Sequence, residues 1–280
     1  MTDPIRLGIF GWPVAHSKSP QMHEAAARAL GIELRYERFA VEPAALAQAV
    51  RDQHEAGIDG YNLTVPHKET VIPLLDEIAP NARAIGAVNT VVRRGERYLG
   101  HNTDAEGFVR SLLEAGVTLP STRIAIVGAG GAARAAVVGL AEAGVSEITV
   151  LSRRPEQAET LVATLRDRVD CGLEAAPLEC ASDRFAATQL LVQATSATLG
   201  SNPDAEAFAQ SLPLDRLPGD AAVVDMVYDP LRTAVLARAD ERGLRTVAGL
   251  GMLLHQGAIA FEMWTGREPP LAVMRAALGA

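Results

Sequence analysis

Residues 123–134 read RIAIVGAGGAAR, an apolar run followed by a glycine turn and the start of an alanine-rich segment. This order predicts the strand, tight turn and helix N-terminus of a dinucleotide-binding βαβ unit. Gly128 allows the turn, Gly130 lets the backbone approach a pyrophosphate, and Ala133 lets the helix pack on the strand. The unpaired N–H groups of the first helical turn favour a phosphate. We therefore expect a cofactor to lie against Gly128, Ala129, Gly130, Gly131 and Ala132.

Strand-like and helix-like segments alternate on both sides of this unit, which is typical of an α/β protein. Ser19 and Pro20 stand where an N-cap and a first helical residue are expected. Pro66, which follows an apolar run, predicts the start of another helix. The chain has 280 residues, which is enough for two ordinary domains.

The composition is that of a water-soluble globular protein, with 48% hydrophobic and 21% charged residues. A formal net charge of −8 argues against nucleic acid and anionic membrane as partners. No apolar run reaches the length of about 20 residues that spans a bilayer, and the first residues lack the pattern of a signal peptide. Cys171 and Cys180 stand in no metal-binding spacing, and the histidines include no HExxH pair. We expect a cytoplasmic protein without a bound metal, either a monomer or a homodimer.

The end of the next apolar run, Val150-Leu151-Ser152-Arg153-Arg154, indicates which dinucleotide is bound. NAD enzymes usually carry an acid here that holds the ribose 2′-hydroxyl, whereas this segment has no acidic residue and the first carboxylate after it is Glu156. Two guanidinium groups suit a 2′-phosphate through charge-assisted, bidentate hydrogen bonds. We therefore expect Ser152, Arg153 and Arg154 to favour NADP, with NAD also possible. The alternative is that both arginines are merely solvated charges at a strand end.

Four polar clusters in the N-terminal part of the chain occupy positions that the apolar pattern does not require. They are Ser17-Lys18-Ser19, residues 62–68 (NLTVPHK), residues 86–90 (GAVNT) and Asn102-Thr103-Asp104. Each follows a predicted strand or precedes a helix, and ligands of open α/β sheets bind beyond the carboxyl ends of the strands. A single cluster would be an ordinary cap or turn, but four of them ahead of a nucleotide unit predict a substrate site.

Together with the glycine turn, these clusters resemble the shikimate dehydrogenase family, and the resemblance covers nearly the whole chain. Its further markers are residues 11–20 (GWPVAHSKSP), 225–228 (DMVY) and 249–253 (GLGML). The resemblance implies an N-terminal α/β/α substrate domain with a mostly parallel sheet, and a Rossmann-type, doubly wound dinucleotide-binding domain. The C-terminal helices would return to the first domain. Residues 1–104 and 249–280 would then form the substrate domain, and residues 105–248 the NADP-binding domain.

The resemblance also implies an activity, the reversible NADPH-dependent reduction of 3-dehydroshikimate to shikimate in aromatic amino-acid (chorismate) biosynthesis. Lys68 and Asp104 match the family's catalytic pair. The implied substrate-binding residues are Ser17, Ser19, Asn62, Thr64, Lys68, Asn89, Asp104, Tyr228 and Gln256. Among them, the two serines and the tyrosine would hold the substrate carboxylate. The implied cofactor contacts beyond the turn and the arginines are Thr195, Met226 and Gly249, the last of them near the nicotinamide.

The chemistry of such a pair is physically reasonable, because hydride delivery to a ketone builds negative charge on oxygen that a lysine ammonium can stabilise and protonate. Departures from the family pattern lie mostly on the cofactor side, where Gln157 replaces a basic residue and Gln193 replaces an asparagine. They leave room for a quinate/shikimate dehydrogenase that uses NAD or both cofactors. A non-catalytic dinucleotide sensor is a further, less favoured alternative.

Overall fold

The computed structural model describes residues 3–279 and divides into two compact units. The first unit is the chain up to Gly107 together with the chain from Leu254 onward, and the second unit is Phe108–Leu253. Each unit is built around its own six-stranded sheet. The two mostly parallel sheets with their helices confirm the predicted α/β fold class. Within the described part of the chain, no helix is long and apolar enough to cross a membrane.

Strands and helices alternate along the chain. The strands are β1 (Ile5–Gly11), β2 (Leu34–Ala40), β3 (Gly60–Leu63), β4 (Glu77–Ile78), β5 (Thr90–Arg94), β6 (Arg97–His101), β7 (Arg123–Val127), β8 (Glu147–Ser152), β9 (Gly172–Pro177), β10 (Leu190–Gln193), β11 (Ala222–Asp225) and β12 (Arg245–Ala248). The α-helices are α1 (Ser19–Ala29), α2 (Leu46–Glu55), α3 (Pro80–Ile85), α4 (Asp104–Glu114), α5 (Gly131–Glu142), α6 (Pro155–Leu165), α7 (Ala181–Phe185), α8 (Ala205–Ser211), α9 (Ala234–Glu241), α10 (Leu250–Thr265) and α11 (Leu271–Ala277). Short 3₁₀ turns lie at Pro43–Ala45, Ile72–Leu74, Arg166–Arg168, Leu178–Cys180 and Leu214–Arg216.

The sheet of the first unit has the strand order β2-β1-β3-β5-β6-β4. β1 runs parallel to β2 and β3, β5 is antiparallel to both β3 and β6, and β4 is parallel to β6. Because of these directions, the ends of β1, β3 and β6 and the start of β5 meet at one edge of the sheet. Asn62 pairs with Thr90 there, and Thr90 pairs with His101. Residues beyond this edge are brought together although they lie far apart in sequence.

Apolar and aromatic side chains pack on this sheet. Phe10 and Tyr61, on neighbouring strands, are fully buried, and their ring centroids lie 5.0 Å apart in an edge-to-face contact. His23 of α1 is also fully buried and stacks on Tyr36 of β2, with centroids 4.9 Å apart. The C-terminal helix α11 packs on α1. The first unit therefore joins the start and the end of the described chain.

The sheet of the second unit has the order β12-β11-β10-β7-β8-β9, and all neighbouring strands are parallel. Counted from β7, this is the 3-2-1-4-5-6 order of a Rossmann fold, in which ligands bind where the strand order reverses. That reversal lies between β7 and β10. Every residue of β10 and β11 is buried, as expected for parallel strands covered on both faces.

The prediction of a helix that begins at Pro66 is wrong. Residues 66–71 form turns, and only the 3₁₀ turn Ile72–Leu74 follows them. A helix there would run into Pro73, which lacks an N–H and clashes with the preceding turn. The carbonyl of Lys68 instead accepts a hydrogen bond from the N–H of Val88 at 2.7 Å. This long-range bond draws the loop after β3 toward the segment that precedes β5.

The expected N-cap at Ser19 is also wrong. The N-cap of α1 is Lys18, whose side chain makes no capping bond, and Ser19 and Pro20 are the first helical residues. The Oγ of Ser17 accepts from the N–H of Ser19 at 3.3 Å. The helix therefore begins one residue earlier than the sequence pattern indicates, and Ser17, two residues before the expected cap, holds its first N–H.

Candidate functional site

Lys68 and Asp104 lie together beyond the edge of the first sheet where β3 and β6 end. The Nζ of Lys68 donates to Oδ2 of Asp104 at 2.6 Å. The lysine side chain is 16% exposed and the aspartate side chain 5%, so the ammonium remains accessible while the carboxylate is shielded from water. Shielding strengthens the attraction between the two charges. The pair can therefore present a proton donor of fixed direction to a bound molecule.

The side chain of Asn89 holds Asp104 on its other oxygen. Its Nδ2 donates to Oδ1 of Asp104 at 2.8 Å, and its Oδ1 accepts from the backbone N–H of Thr103 at 2.7 Å. The side-chain oxygen of Asn102 accepts from the N–H of Asp104 at 3.0 Å. Asp104 is the first residue of α4, and two asparagines and the lysine together fix its position.

Asn62 and Thr64 occupy the end of β3 and the loop after it. The Nδ2 of Asn62 donates to the backbone oxygen of Asn89 and to Oγ1 of Thr90, both at 3.0 Å. Its Oδ1 accepts from the hydroxyl of Tyr36 at 2.6 Å. Thr64 is half-buried, and its backbone N–H donates to the carbonyl of Phe10 on the neighbouring strand at 2.9 Å. Asn62 thereby connects the buried ring of Tyr36 to the residue that holds Asp104.

Ser17 and Ser19 follow β1 at the same edge of the sheet, and both are buried. The guanidinium of Arg38 donates to the carbonyl of Ser17 at 2.7 and 3.1 Å, which fixes this loop against β2. Their hydroxyl groups can donate to an anion without adding charge to the site. In a chain with a net charge of −8, such local donors are what an anionic ligand requires.

Gln256 reaches the same cluster from α10, 167 residues after Asn89 in the chain. Its Oε1 lies 3.3 Å from Nδ2 of Asn89 and 3.5 Å from Oγ1 of Thr103. α10 can come this close because residue 107 of α4 is glycine: a Cβ there would lie 2.6 Å from the backbone nitrogen of Gln256. All predicted substrate residues except Tyr228 therefore lie in the first unit. Tyr228 is half-buried in the loop after β11 of the second unit.

The predicted cofactor turn joins β7 to α5. Gly128 has φ +118°, a conformation that L side chains rarely adopt, and a Cβ there would lie 2.8 Å from the methyl group of Thr195. Gly130 is exposed, and a Cβ there would meet no atom of the described residues within 4 Å. α5 begins at Gly131, so its first N–H groups have no partner within the helix. Open space beside a helix N-terminus fits a pyrophosphate.

Ser152 is the last residue of β8, and Arg153 and Arg154 follow it. Ser152 is buried, and its Oγ accepts from the N–H of Arg154 at 3.2 Å. Both arginines are exposed, and α6 begins immediately after them at Pro155. Two exposed guanidinium groups at the end of the second Rossmann strand suit a phosphate on the ribose of a dinucleotide.

Thr195, Met226 and Gly249 follow β10, β11 and β12 at the same edge of the second sheet. Gly249 packs so closely on the loop after β11 that a Cβ there would overlap the carbonyl oxygen of Met226. Sequence reasoning assigned no role to Gln193 and Asp225, which end β10 and β11 and pair with each other in register. A polar side chain that ends an otherwise apolar, buried strand was the signal that could have identified both.

Two histidines next to the candidate residues have lowered pKa values. Burial lowers the pKa of His67, and its hydrogen bond with the carbonyl of Val41, at 2.8 Å, opposes the shift. Burial and a nearby arginine both lower the pKa of His101. Neither histidine therefore adds a positive charge beside Lys68 and Asp104 at neutral pH. Among residues 3–279, no group of three or more His, Cys, Asp or Glu side chains could hold a metal ion.

Models of known families match this chain in three places. Residues 9–91 match the substrate binding domain of shikimate dehydrogenase, and residues 111–206 match the shikimate / quinate 5-dehydrogenase model. Residues 249–278 match the C-terminal domain of shikimate 5′-dehydrogenase. The matches include the segments that carry the Lys68 loop, the glycine turn and Gln256.

Individual proteins match over nearly the full length. The shikimate dehydrogenase (NADP(+)) of Symbiobacterium thermophilum is 45% identical over 97% of this chain and 92% of its own. The crystal structure of Thermus thermophilus shikimate 5-dehydrogenase in complex with NADP(H) and shikimate is 38% identical, covers 98% of both chains and has a TM-score of 0.84. Quinate dehydrogenase of Corynebacterium glutamicum in complex with NAD is 32% identical, covers 99% of both chains and has a TM-score of 0.88. In sequence over nearly its whole length and in the fold of both units, this chain belongs to the shikimate dehydrogenase family.

Proposed function

We propose that this protein catalyses the reversible NADPH-dependent reduction of 3-dehydroshikimate to shikimate. The observation that carries the proposal is the hydrogen bond of 2.6 Å between Nζ of Lys68 and Oδ2 of Asp104, with Asn89 on the second carboxylate oxygen. The name of the Symbiobacterium thermophilum relative supports the choice of substrate and cofactor. We assign the first unit, with Lys68, to the substrate and the second unit, with the glycine turn, to NADP.

Lys68 supplies the proton of the reaction. NADPH, when bound, provides the hydride that the carbonyl carbon of the substrate accepts. Negative charge then develops on the carbonyl oxygen, and the ammonium of Lys68 stabilises this charge and donates a proton from Nζ. Asp104 holds Nζ in one direction throughout, because its other oxygen is bonded to Asn89. In shikimate oxidation the same nitrogen accepts the hydroxyl proton.

Neutral polar side chains and the carboxylate of Asp104 hold the substrate. Ser17 and Ser19 donate hydroxyl hydrogen bonds to the carboxylate, with Thr64 beside them and Tyr228 as a further donor. The cluster of Asn89, Asp104 and Gln256 binds the ring hydroxyls. Asn62 belongs to the same set through its bond to the backbone of Asn89.

NADP is held by residues at one edge of the second sheet. Gly128, Ala129, Gly130, Gly131 and Ala132 cradle the pyrophosphate, and the open space at Gly130 supports this assignment. Ser152, Arg153 and Arg154 hold the 2′-phosphate. Thr195, Met226 and Gly249 complete the site on the nicotinamide side.

Steady-state kinetics with four combinations of substrates tests the proposal. Shikimate and quinate are each oxidised with NADP and with NAD, and the values of kcat/KM are compared, because their ratio measures discrimination. We expect shikimate with NADP to give the highest kcat/KM. Substantial oxidation of quinate with NAD would instead favour a quinate/shikimate dehydrogenase, as the similarity to the quinate dehydrogenase of Corynebacterium glutamicum suggests. Binding of NADPH without turnover of either hydroxy acid would favour a dinucleotide sensor.

The cellular setting is part of the same proposal. The enzyme acts in the cytoplasm on small-molecule substrates, as a monomer or a homodimer. Light scattering on the purified protein distinguishes the two states. Fractionation of the source cells tests the location, and activity in the membrane fraction would contradict it.

A further inference from the structure

Besides the loop after β8, four loops of the second unit carry candidate cofactor residues, and direct contacts connect these four in two pairs. The turn at Gly128 lies against Thr195, whose methyl group would be 2.8 Å from a Cβ at 128. Gly249 lies against the carbonyl oxygens of Met226 and Val227. The loops after β7 and β10 thus form one contact, and the loops after β11 and β12 form another. A hydrogen bond between Gln193 and Asp225 connects these two pairs of loops.

Gln193 holds the loop after β10. Its Oε1 accepts from both the backbone N–H and the hydroxyl of Thr195, each at 2.6 Å. Its Nε2 lies 3.0 Å from the carbonyl of Thr195, 2.9 Å from Oγ1 of Thr198 and 3.0 Å from Oδ1 of Asp225. One carboxamide therefore fixes the turn of Thr195 and connects it to the neighbouring strand.

Asp225 holds the loop after β11. Its Oδ1 accepts from the N–H of Val227 at 3.0 Å, and its Oδ2 accepts from the hydroxyl of Thr233 at 2.7 Å. Val227 and Thr233 lie near the two ends of the loop that contains Tyr228, so the carboxylate closes that loop on itself. Burial raises the pKa of Asp225, and hydrogen bonds from Thr233, Val227, Thr198 and Gln193 oppose the rise.

None of these polar groups can touch a ligand directly. Gln193, Asp225 and Thr233 are each 0% exposed, and Thr198 is 1% exposed. Their effect on a cofactor must therefore pass through the residues that they hold. A buried network whose donors and acceptors are all paired specifies one arrangement of the backbone.

We propose that Gln193 and Asp225 are positioning residues of the cofactor site: they fix the loops after β10 and β11 so that Thr195, Met226 and Gly249 meet the nicotinamide side of NADP together. This inference rests on the proposed function, since it concerns the same cofactor. It adds that nicotinamide-side binding depends on two buried side chains that never contact the ligand.

The test removes single bonds of the network and measures NADPH binding by fluorescence titration, together with KM for each substrate. Gln193→Met and Thr233→Val should each raise the Kd and the KM for NADPH about tenfold. Each change removes a buried hydrogen bond to the carboxylate of Asp225. In Gln193→Met the KM for shikimate should stay within about twofold of wild type, since this change loosens the turn of Thr195 and leaves the serine and asparagine donors of the first unit untouched. In Thr233→Val the KM for shikimate should rise as well, because the bond from Thr233 to Asp225 closes the loop that carries Tyr228. Thr233→Ser keeps the hydroxyl and should recover wild-type binding.

Thr188→Val is the matched control. Thr188 is also a buried threonine of the second unit, 4% exposed, and its Oγ1 donates to the carbonyl of Arg184 at 2.9 Å. It precedes β10, at the opposite edge of the sheet from Thr195. The chemical change is the same as in Thr233→Val, so any general loss of stability is matched in melting experiments. We expect NADPH affinity in Thr188→Val to stay within about twofold of wild type.

Gln193→Glu provides a second, isosteric test. Between pH 5.5 and 8.5, NADPH affinity relative to wild type should fall as the pH rises, because the new carboxyl group and Asp225 repel each other once both are ionised. Wild-type affinity for NADPH in folded Gln193→Met and Thr233→Val, or a loss equal to that of Thr188→Val, would overturn the inference. So would a pH-independent affinity ratio in Gln193→Glu. Failure of the wild-type protein to bind NADPH would instead reject the proposed function.

Discussion

Lys68 is one of only two lysines in the chain, the other being Lys18. Lys68→Met should lower kcat by about 10²- to 10⁴-fold, the usual contribution of a general acid, because no other ammonium can protonate the carbonyl oxygen. The Kd for shikimate, measured by calorimetry, should change much less. Lys18→Met removes the bond from Nζ to the carbonyl of Leu278 and serves as the control with kcat close to wild type. Near-normal turnover in Lys68→Met would contradict the role of Lys68 as the proton donor.

Arg153 and Arg154 decide between the two cofactors in the proposed site. Replacing either one by alanine should raise the KM for NADPH about tenfold while the KM for NADH stays the same, because a charge-assisted bond to the 2′-phosphate is lost and NADH has no such group. Both side chains are exposed, so the melting temperature should not change. An unchanged KM for NADPH in both variants would show that the arginines are only solvated charges.

Residue types at the first site were easier to predict from the sequence than the contacts between them. Motif resemblance identified Lys68 and Asp104, and the structure places them within hydrogen-bond distance. Asn89 was predicted as a substrate residue, but its bonds to Thr103 and Gln256 were not, because these partners lie 14 and 167 residues away. The bond from Tyr36 to Asn62 depends likewise on the register of β2, β1 and β3. Pairing across a sheet decides such contacts, and local sequence does not encode it.

At the scale of the element, the turn between β7 and α5 contains two glycines with different expected roles: Gly128 is needed for both stability and cofactor binding, and Gly130 for cofactor binding alone. Gly128→Ala places a side chain at φ +118°, which costs about 1–3 kcal/mol, and pushes it against Thr195. We expect a lower melting temperature together with weaker NADPH binding. Gly130→Ala meets open space among the described residues, so the melting temperature should stay close to wild type while the Kd for NADPH rises. A stability loss of equal size in both variants would contradict a pyrophosphate site at Gly130.

Local patterns predicted the elements of the second unit better than those of the first. The run from Arg123 to Arg134 forms the expected strand, turn and helix, because apolar periodicity and glycine placement agree there. The loop after β3 did not follow its pattern: Pro66 suits a helix start, but Pro73 and the bond from Val88 to Lys68 prevent one. A tertiary hydrogen bond overrides a local preference here, and the exception falls at Lys68, the proposed proton donor.

At the scale of the whole molecule, buried histidines set the response to acid. Burial lowers the pKa of His23 from 6.5 to about 3 and that of His54 to about 4. The unfolded chain therefore takes up protons below about pH 6.5 that the folded protein does not, and the free energy of unfolding should fall from there toward pH 3. The raised pKa of Asp225 acts in the opposite direction, since the folded state retains that proton above pH 3.8.

The contribution of His23 can be isolated by His23→Leu, a change of similar volume in a fully buried position. Urea unfolding between pH 7 and pH 4 measures the slope of stability against pH. We expect the variant to show a shallower decline than wild type, because a leucine takes up no proton in the unfolded state. Parallel slopes for the two proteins would exclude His23 as a source of acid sensitivity.

The first unit is made of two segments that lie far apart in the sequence, which has a consequence for the order of folding during synthesis. Phe108–Leu253 is one continuous segment that contains all the strands of its own sheet, so it leaves the ribosome as a complete folding unit. The first unit needs residues from both sides of that segment, because α11 packs on α1 and Gln256 reaches Asn89. A nascent chain can therefore complete the unit assigned to the cofactor before the unit assigned to the substrate has received its C-terminal helices.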